Sequence, residues 1–275
     1  MLQERRSGGR SLIRIRSAKN IIITHLDFAK FRTGTPPPTP IGYPWLDDQC
    51  FEDMISIFNK DSDRATEYYD RIWINRSEFR DCGDECVAVT SASSNGTIAR
   101  VTLSRNLFAF TNKGLMLTGG PEPLPPSNLG LAGSIYQNRF VSVWIRQPRV
   151  ERAYAHVFNN LYENWLDKAV DARDYSRVLV EQNVFRAVTT PTAAFTYSGI
   201  NAYLWARNNL SSIAAVSGNT RSPFPSCASS GGPFYHDCSV PIVNLASTSY
   251  AVARDWVRAR SGWEQAVNDV RDAAQ

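Results

Sequence analysis

One alternation of apolar and polar positions recurs along the chain as a nine-residue phrase. It reads NIIITHLDF (20–28), RIWINRSEF (71–79), RVTLSRNLF (100–108), AGSIYQNRF (132–140), YAHVFNNLY (154–162) and RVLVEQNVF (177–185), with a weaker copy, YLWARNNLS, at 203–211. Positions two and four are mostly β-branched or aliphatic, which predicts a strand with one face inside. Position seven is Asn in the last four strong copies, and position nine is Phe or Tyr in all six. The Asn marks the end of the strand, where the backbone turns, and the aromatic begins the next side. The last four strong copies begin 32, 22 and 23 residues apart, and RIWINRSEF begins 29 before RVTLSRNLF. Periods of this size define a solenoid, and the L-x-x-L-x-L phrase of a leucine-rich repeat is missing. The pattern predicts an all-β fold, a right-handed single-stranded parallel β-helix with one coil per copy. Stacked strands lie about 4.8 Å apart, so the Asn read as a hydrogen-bonded structural ladder rather than a site.

The expected organisation is a single domain over 1–275, with coils over 12–211 and loops over 212–248. Residues 249–275 carry Tyr250, Val252, Trp256, Val257, Trp263 and Val267 at broadly amphipathic spacing. They read as a C-terminal α-helix packing on the coil as a cover. Residues 34–42 and 121–128, both proline-rich, read as irregular loops. No stretch of 18 or more apolar residues occurs, so no membrane span is expected. The first residues, MLQERRSGGRSLIRIR, lack the apolar core of a signal peptide.

Charge changes this picture modestly. The net charge is +4, and of 30 cationic side chains only Lys19, Lys30, Lys60, Lys113 and Lys168 are lysine. Arginine pairs with carboxylates through a planar fork, which suits an anionic partner such as a polyuronate, although genome composition explains the bias equally well. Cysteines stand at 50, 82, 86, 227 and 238. Cys82 with Cys86, and Cys227 with Cys238, are close enough to pair, which favours disulfides and an oxidising compartment. Zinc is the rival, without His and Cys at finger spacing. Sequons begin at Asn75, Asn95 and Asn209 and support secretion weakly. No G-x-S-x-G, nucleotide loop or zinc signature occurs.

Offsets within the phrase bring charged residues together. Counted from the start of their coils, Asp84 and Lys113 are at position 14 and Arg146 is at position 15. Coils in register would put all three on one edge. By spacing alone a solvated salt-bridge ladder is a slightly better reading than a charged groove. His156 reads as structural, and His25 and His236 have no evident partner.

The stretch AGSIYQNRFVSVWIRQPRVERAYAHVFNNLYEN (132–164) resembles the signature of the pectate lyases of polysaccharide lyase family 1, with an R-x-P-R loop between two Asn-bearing coils. RIWINRSEFRDCGDECVAVT, RVTLSRNLFAFTNKGLMLTG and RVLVEQNVF resemble that family's other coils, in order, over about residues 12–210. The resemblance implies a secreted, monomeric lyase that cuts α-1,4-polygalacturonate (pectate) by β-elimination, with calcium as cofactor and with no nucleic acid or membrane as partner. It implies Arg146 as the base that takes the C5 proton and Lys113 as a ligand of the substrate carboxylate. Arg149 either binds uronate or braces its loop, Arg173 matches a family arginine loosely, and Arg152 stands one place beyond another. Asp53 and Asp84 match two calcium aspartates. The family also has coils ahead of residue 20, so N-terminal coils are expected to be missing here.

The chain departs from the pattern at several positions. Ala88 replaces the third calcium carboxylate, for which Glu85 substitutes if its loop turns inward. Glu151 replaces an arginine, and Asn75 and Arg76 replace an Asp-His pair. Two other readings follow from these departures: an eroded, non-catalytic β-helix that binds acidic polysaccharide, and a calcium-free lyase of the pectin lyase type. Asp84, where that type places an arginine, favours pectate. The aspartate clusters of β-helical hydrolases are not visible in these coils.

Overall fold

The computed structural model describes residues 11–31, 53–58, 69–82, 84–91, 98–119, 130–186, 193–200, 202–207 and 209–211. The expected loops at 212–248, the C-terminal helix at 249–275 and Cys50, Cys227 and Cys238 lie outside them. The described chain is an all-β parallel β-helix, in which every strand pairing is parallel.

Each coil gives one strand to each of three faces. The coil that opens at residue 19 runs through β2 (Lys19–Thr24), β3 (Asp27–Phe31) and β4 (Ile55–Phe58). β1 (Ile13–Arg16) precedes it and pairs with β4. The next coils are β5 (Asp70–Asn75), β6 (Glu78–Cys82) and β7 (Glu85–Ser91), then β8 (Ala99–Ser104) and the long β9 (Leu107–Gly119). There follow β10 (Leu131–Tyr136), β11 (Arg139–Ile145) and β12 (Arg149–Glu151), then β13 (Tyr154–Phe158), β14 (Leu161–Glu163) and β15 (Lys168–Arg173). The described coils end with β16 (Arg177–Glu181), β17 (Val184–Arg186), β18 (Ala193–Ser198), β19 (Tyr203–Arg207) and β20 (Leu210–Ser211).

The first face, β2-β5-β8-β10-β13-β16-β19, is built from the opening residues of the nine-residue phrase. Its positions two and four point inward. Ile72, Ile74, Val101, Leu103, Val157, Val178 and Val180 are buried there. The second face begins at the aromatic. Phe28, Phe79, Phe108, Phe140, Tyr162 and Phe185 stack at centroid distances of 4.6–5.0 Å, one ring per coil. That spacing is the strand separation itself.

The corner between these faces is a two-residue turn. Position six takes a left-handed conformation in His25, Arg76, Arg105, Gln137, Asn159 and Gln182, with φ of 46–57°. Position seven carries the ladder that the sequence predicts. Asn160 Nδ2 donates to Ile135 O at 2.9 Å and to Asn183 Oδ1 at 3.0 Å. Its Oδ1 accepts from the backbone N of Asn138 at 2.9 Å and from its Nδ2 at 3.1 Å. Asn106, Asn138, Asn183 and Asn209 repeat this scheme. Ser77, which holds the Asn position in an earlier copy, still donates its N–H to Asn106 Oδ1. Asn160 is fully buried, so Asn160→Ala orphans several groups at once and is expected to cost roughly 2–4 kcal/mol of stability. The urea midpoint checks this, and an unchanged midpoint would remove the ladder from the stability account.

Candidate active site

The third face, β1-β4-β7, the second half of β9, β12, β15 and β18, carries the charged edge. Its register pairs Ile55 with Val87 and Val87 with Leu115. Two residues upstream of these three stand Asp53, Glu85 and Lys113, with Glu85 and Lys113 directly paired. On the next coil Met116 pairs with Arg149, and Leu115 N donates to Arg146 O at 2.6 Å. Four successive coils therefore bring a charged side chain to one edge. Gly114 permits the last approach, because a Cβ there would lie 2.9 Å from Arg146 O.

The offset count places Asp84 level with Lys113, but Glu85 holds that register. Asp84, one residue earlier, still reaches Lys113, with Nζ donating to Oδ1 at 2.6 Å. A disulfide between Cys82 and Cys86 brackets Asp84 and Glu85, the first residue of β7. Glu85 faces inward: it is 3% exposed and forms an ion pair with Arg146. Asp53, Asp84 and Glu85 each offer a carboxylate oxygen within 4.8 Å of the others. Ala88 lies three residues beyond Glu85 on the same strand, in an outward row between Ser56 and Met116, so that position adds no carboxylate to the three.

Three acids this close oppose one another's ionisation. Burial, followed by the charge of Asp84, pushes the Asp53 carboxyl up from 3.8 to about 6, against a hydrogen bond from Ser56 and the charges of Lys113 and Arg146. The folded chain thus binds a proton that the unfolded chain releases near pH 4. Stability contributed by this group falls as pH rises through the window from about 4 to about 6, and the penalty is complete above it. Two units correspond to about 3 kcal/mol at most. Asp53→Asn is therefore expected to stabilise the calcium-free protein above pH 6, with little difference near pH 4. Denaturant midpoints across this range in chelator check it, and a less stable variant above pH 6 would refute it.

The Arg146 guanidinium is held by Glu85 and lies 3.6 Å from Met116 Sδ. Burial, then the nearby Arg149, draws its pKa below the usual arginine value, and Arg173 acts in the same direction against Asp84 and Glu151. Arg149 stands level with Met116 and Asp171, and Arg173 two residues beyond Asp171 on β15. Both donate through Nε to Asp171 Oδ2, at 3.1 and 2.9 Å. Arg152 is not brought to the cluster. It lies beyond the end of β12, its N–H donates to Asp174 O at 2.7 Å, and its guanidinium is 3.9 Å from Glu151. Asp171 was missed from sequence, where its only signal is its place two residues before Arg173.

Two other features stay outside the site. His156 and Glu181 form a buried pair at 2.7 Å on the first face, in keeping with a structural histidine. A cavity of about 470 Å³ opens on that same face beside Trp73, Thr102, Ser134 and Tyr136. Its arginines, Arg71 and Arg100, are tied to Asp70, and no acid cluster accompanies it among the described residues.

Solved structures share this architecture. The major cedar-pollen allergen jun a 1 superposes with a TM-score of 0.63 at 17% identity, over 93% of this chain and 70% of that one. A pectate lyase bound to a hexasaccharide superposes with a TM-score of 0.57 at 17% identity, over 92% of this chain and 65% of that one. These likenesses establish the fold. The pectate lyase family model matches residues 67–265, and the chain belongs to the pectate lyase family. A putative pectate lyase of Arabidopsis thaliana (pectate lyase 2) is 31% identical over 157 residues, covering 56% of this chain and 37% of the relative. Another, probable pectate lyase 16, is 27% identical over 181 residues, 64% of this chain and 41% of the relative. The chain thus spans about two fifths of the length of these relatives. Among the described residues no helix is long and apolar enough to cross a membrane.

Proposed function

We propose that this chain is a pectate lyase that cleaves α-1,4-polygalacturonate by β-elimination outside the cell, with Arg146 as the proton-abstracting base. The observation that carries this reading is the meeting of three carboxylates, Lys113 and Arg146 at one edge of the third face.

The donor set fits calcium. It consists of hard carboxylate oxygens, which calcium prefers, and a cation there would oppose the burial and the Asp84 charge that raise the Asp53 carboxyl. Asp53, Asp84 and Glu85 would hold the ion. When bound, it supplies positive charge beside the substrate carboxylate, which makes the C5 proton more acidic.

The chain's own residues account for the other parts. Lys113, 15% exposed and facing the acids, contacts the substrate carboxylate. Arg149 and Arg173 take a carboxylate through their outer nitrogens. Neutral Arg146 takes the C5 proton, the C4–O4 bond breaks, a C4–C5 double bond forms, the departing oxygen takes a proton from solvent and Arg146 returns its own to solvent. An arginine base needs its cationic form made costly. Burial and the neighbouring Arg149 and Arg173 do this. Glu85 acts the other way, because its carboxylate favours the charged guanidinium. A cation held by Glu85 would draw its charge away from Arg146, and base function belongs to that arrangement.

One observation favours a binding-only β-helix instead, the Glu85–Arg146 ion pair that occupies the base. Mass spectrometry of polygalacturonate digests separates the readings. Elimination gives fragments whose masses sum to the substrate, one of them unsaturated. Fragments carrying an added water would replace it with hydrolysis, and no fragments would leave binding alone.

A further inference from the structure

Asp171 is 2% exposed and stands in an outward row of the third face with Met116, Arg149 and Thr196. Its Oδ2 accepts from Arg149 Nε at 3.1 Å and from Arg173 Nε at 2.9 Å. Its Oδ1 accepts from Thr196 Oγ1 at 3.0 Å. A salt bridge that only braces the fold would gain most from a bidentate fork, with two parallel N–H bonds. Here one oxygen holds two guanidiniums by their inner nitrogens. Among the described residues their outer nitrogens make no further hydrogen bond, and one carboxylate against two guanidiniums leaves a positive charge. The Arg149 side chain is 13% exposed and that of Arg173 is 33% exposed, so the second opens to solvent.

We propose that Asp171 is a positioning residue that sets Arg149 and Arg173 as a paired clamp for one substrate carboxylate, and so selects unesterified uronate in the subsite next to Arg146. This rests on the elimination reading and deepens it. A free carboxylate offers charge and two acceptors to the paired forks. A methyl ester has lost the charge. With Asp171 neutralised, both guanidiniums regain rotamer freedom, and ordering them again at each binding event opposes affinity.

The test is calorimetry of trigalacturonate and its methyl ester, in calcium buffer, with wild type and Asp171→Asn. Trigalacturonate affinity is expected to fall about tenfold, with little change for the ester. KM for polygalacturonate should rise by a similar factor while kcat stays within about twofold. In an Arg149→Gln/Arg173→Gln background Asp171→Asn should add no further loss, because it acts through those side chains. Should Asp171→Asn fail to fold, Thr196→Val releases only Oδ1 and should weaken trigalacturonate about two- to threefold. Unchanged affinity, equal losses for acid and ester, or a loss that persists without the two arginines overturns the proposal. Wild type that binds trigalacturonate without releasing unsaturated product defeats the elimination reading and leaves the clamp standing. Wild type that binds neither ligand defeats both.

Discussion

Arg146→Lys is expected to keep the fold and to lose about 10²- to 10⁴-fold in turnover, the range of a general-base step. The position of Arg146 is set by its backbone. Its φ is 62°, and its carbonyl accepts from Leu115 N across the coil. Neither depends on the side chain, so the variant should unfold close to the wild-type midpoint. Lysine keeps a charge but loses the planar guanidinium, whose Nη1 reaches both Glu85 and Met116 Sδ. Lys113→Ala should behave differently, raising KM as well as lowering kcat, because it removes a carboxylate contact and the partner of Asp84. Full activity of Arg146→Lys against active wild type would show that the base lies elsewhere.

Asp84→Ala should weaken calcium binding by about 10²-fold or more, which calorimetry reads without reference to activity. Asp84 is both a proposed calcium ligand and the group whose charge helps to raise the Asp53 carboxyl. The same variant should therefore bring the Asp53 pKa down towards its ordinary value. The reciprocal change is Ala88→Asp. It adds a carboxylate to the half-buried row beside Ser56 and should tighten calcium about tenfold. Wild type that binds no calcium, with oligogalacturonate present, would end the cation reading of this cluster and leave its geometry intact.

Much of the fold was legible because the coil repeats its own chemistry. Asn106, Asn138, Asn160 and Asn183 recur at one position, since each must satisfy the corner of its neighbour. The aromatic recurs because each ring stacks on the next. The left-handed position six was not legible: His, Arg, Gln and Asn share no side-chain chemistry, and the requirement lies in the backbone. The charged edge was legible as a set of candidate residues, and the register count along it was off by one. Counting from the phrase assumes equal paths between faces. The chain instead runs through the second corner unbroken in β9 and breaks, with one residue more, between β6 and β7. Glu85 therefore takes the register expected of Asp84. Asp171 escaped because a lone aspartate beside an arginine carries no pattern; only the packing of β12 on β15 shows that it joins two cations.

The most direct measurement is the ultraviolet absorbance of unsaturated uronide released from polygalacturonate, with calcium titrated and then removed by chelator. The account predicts that absorbance grows with wild type in calcium, stops with chelator and is nearly lost with Arg146→Lys. No rise at any calcium concentration, or an equal rise with Arg146→Lys, would contradict it.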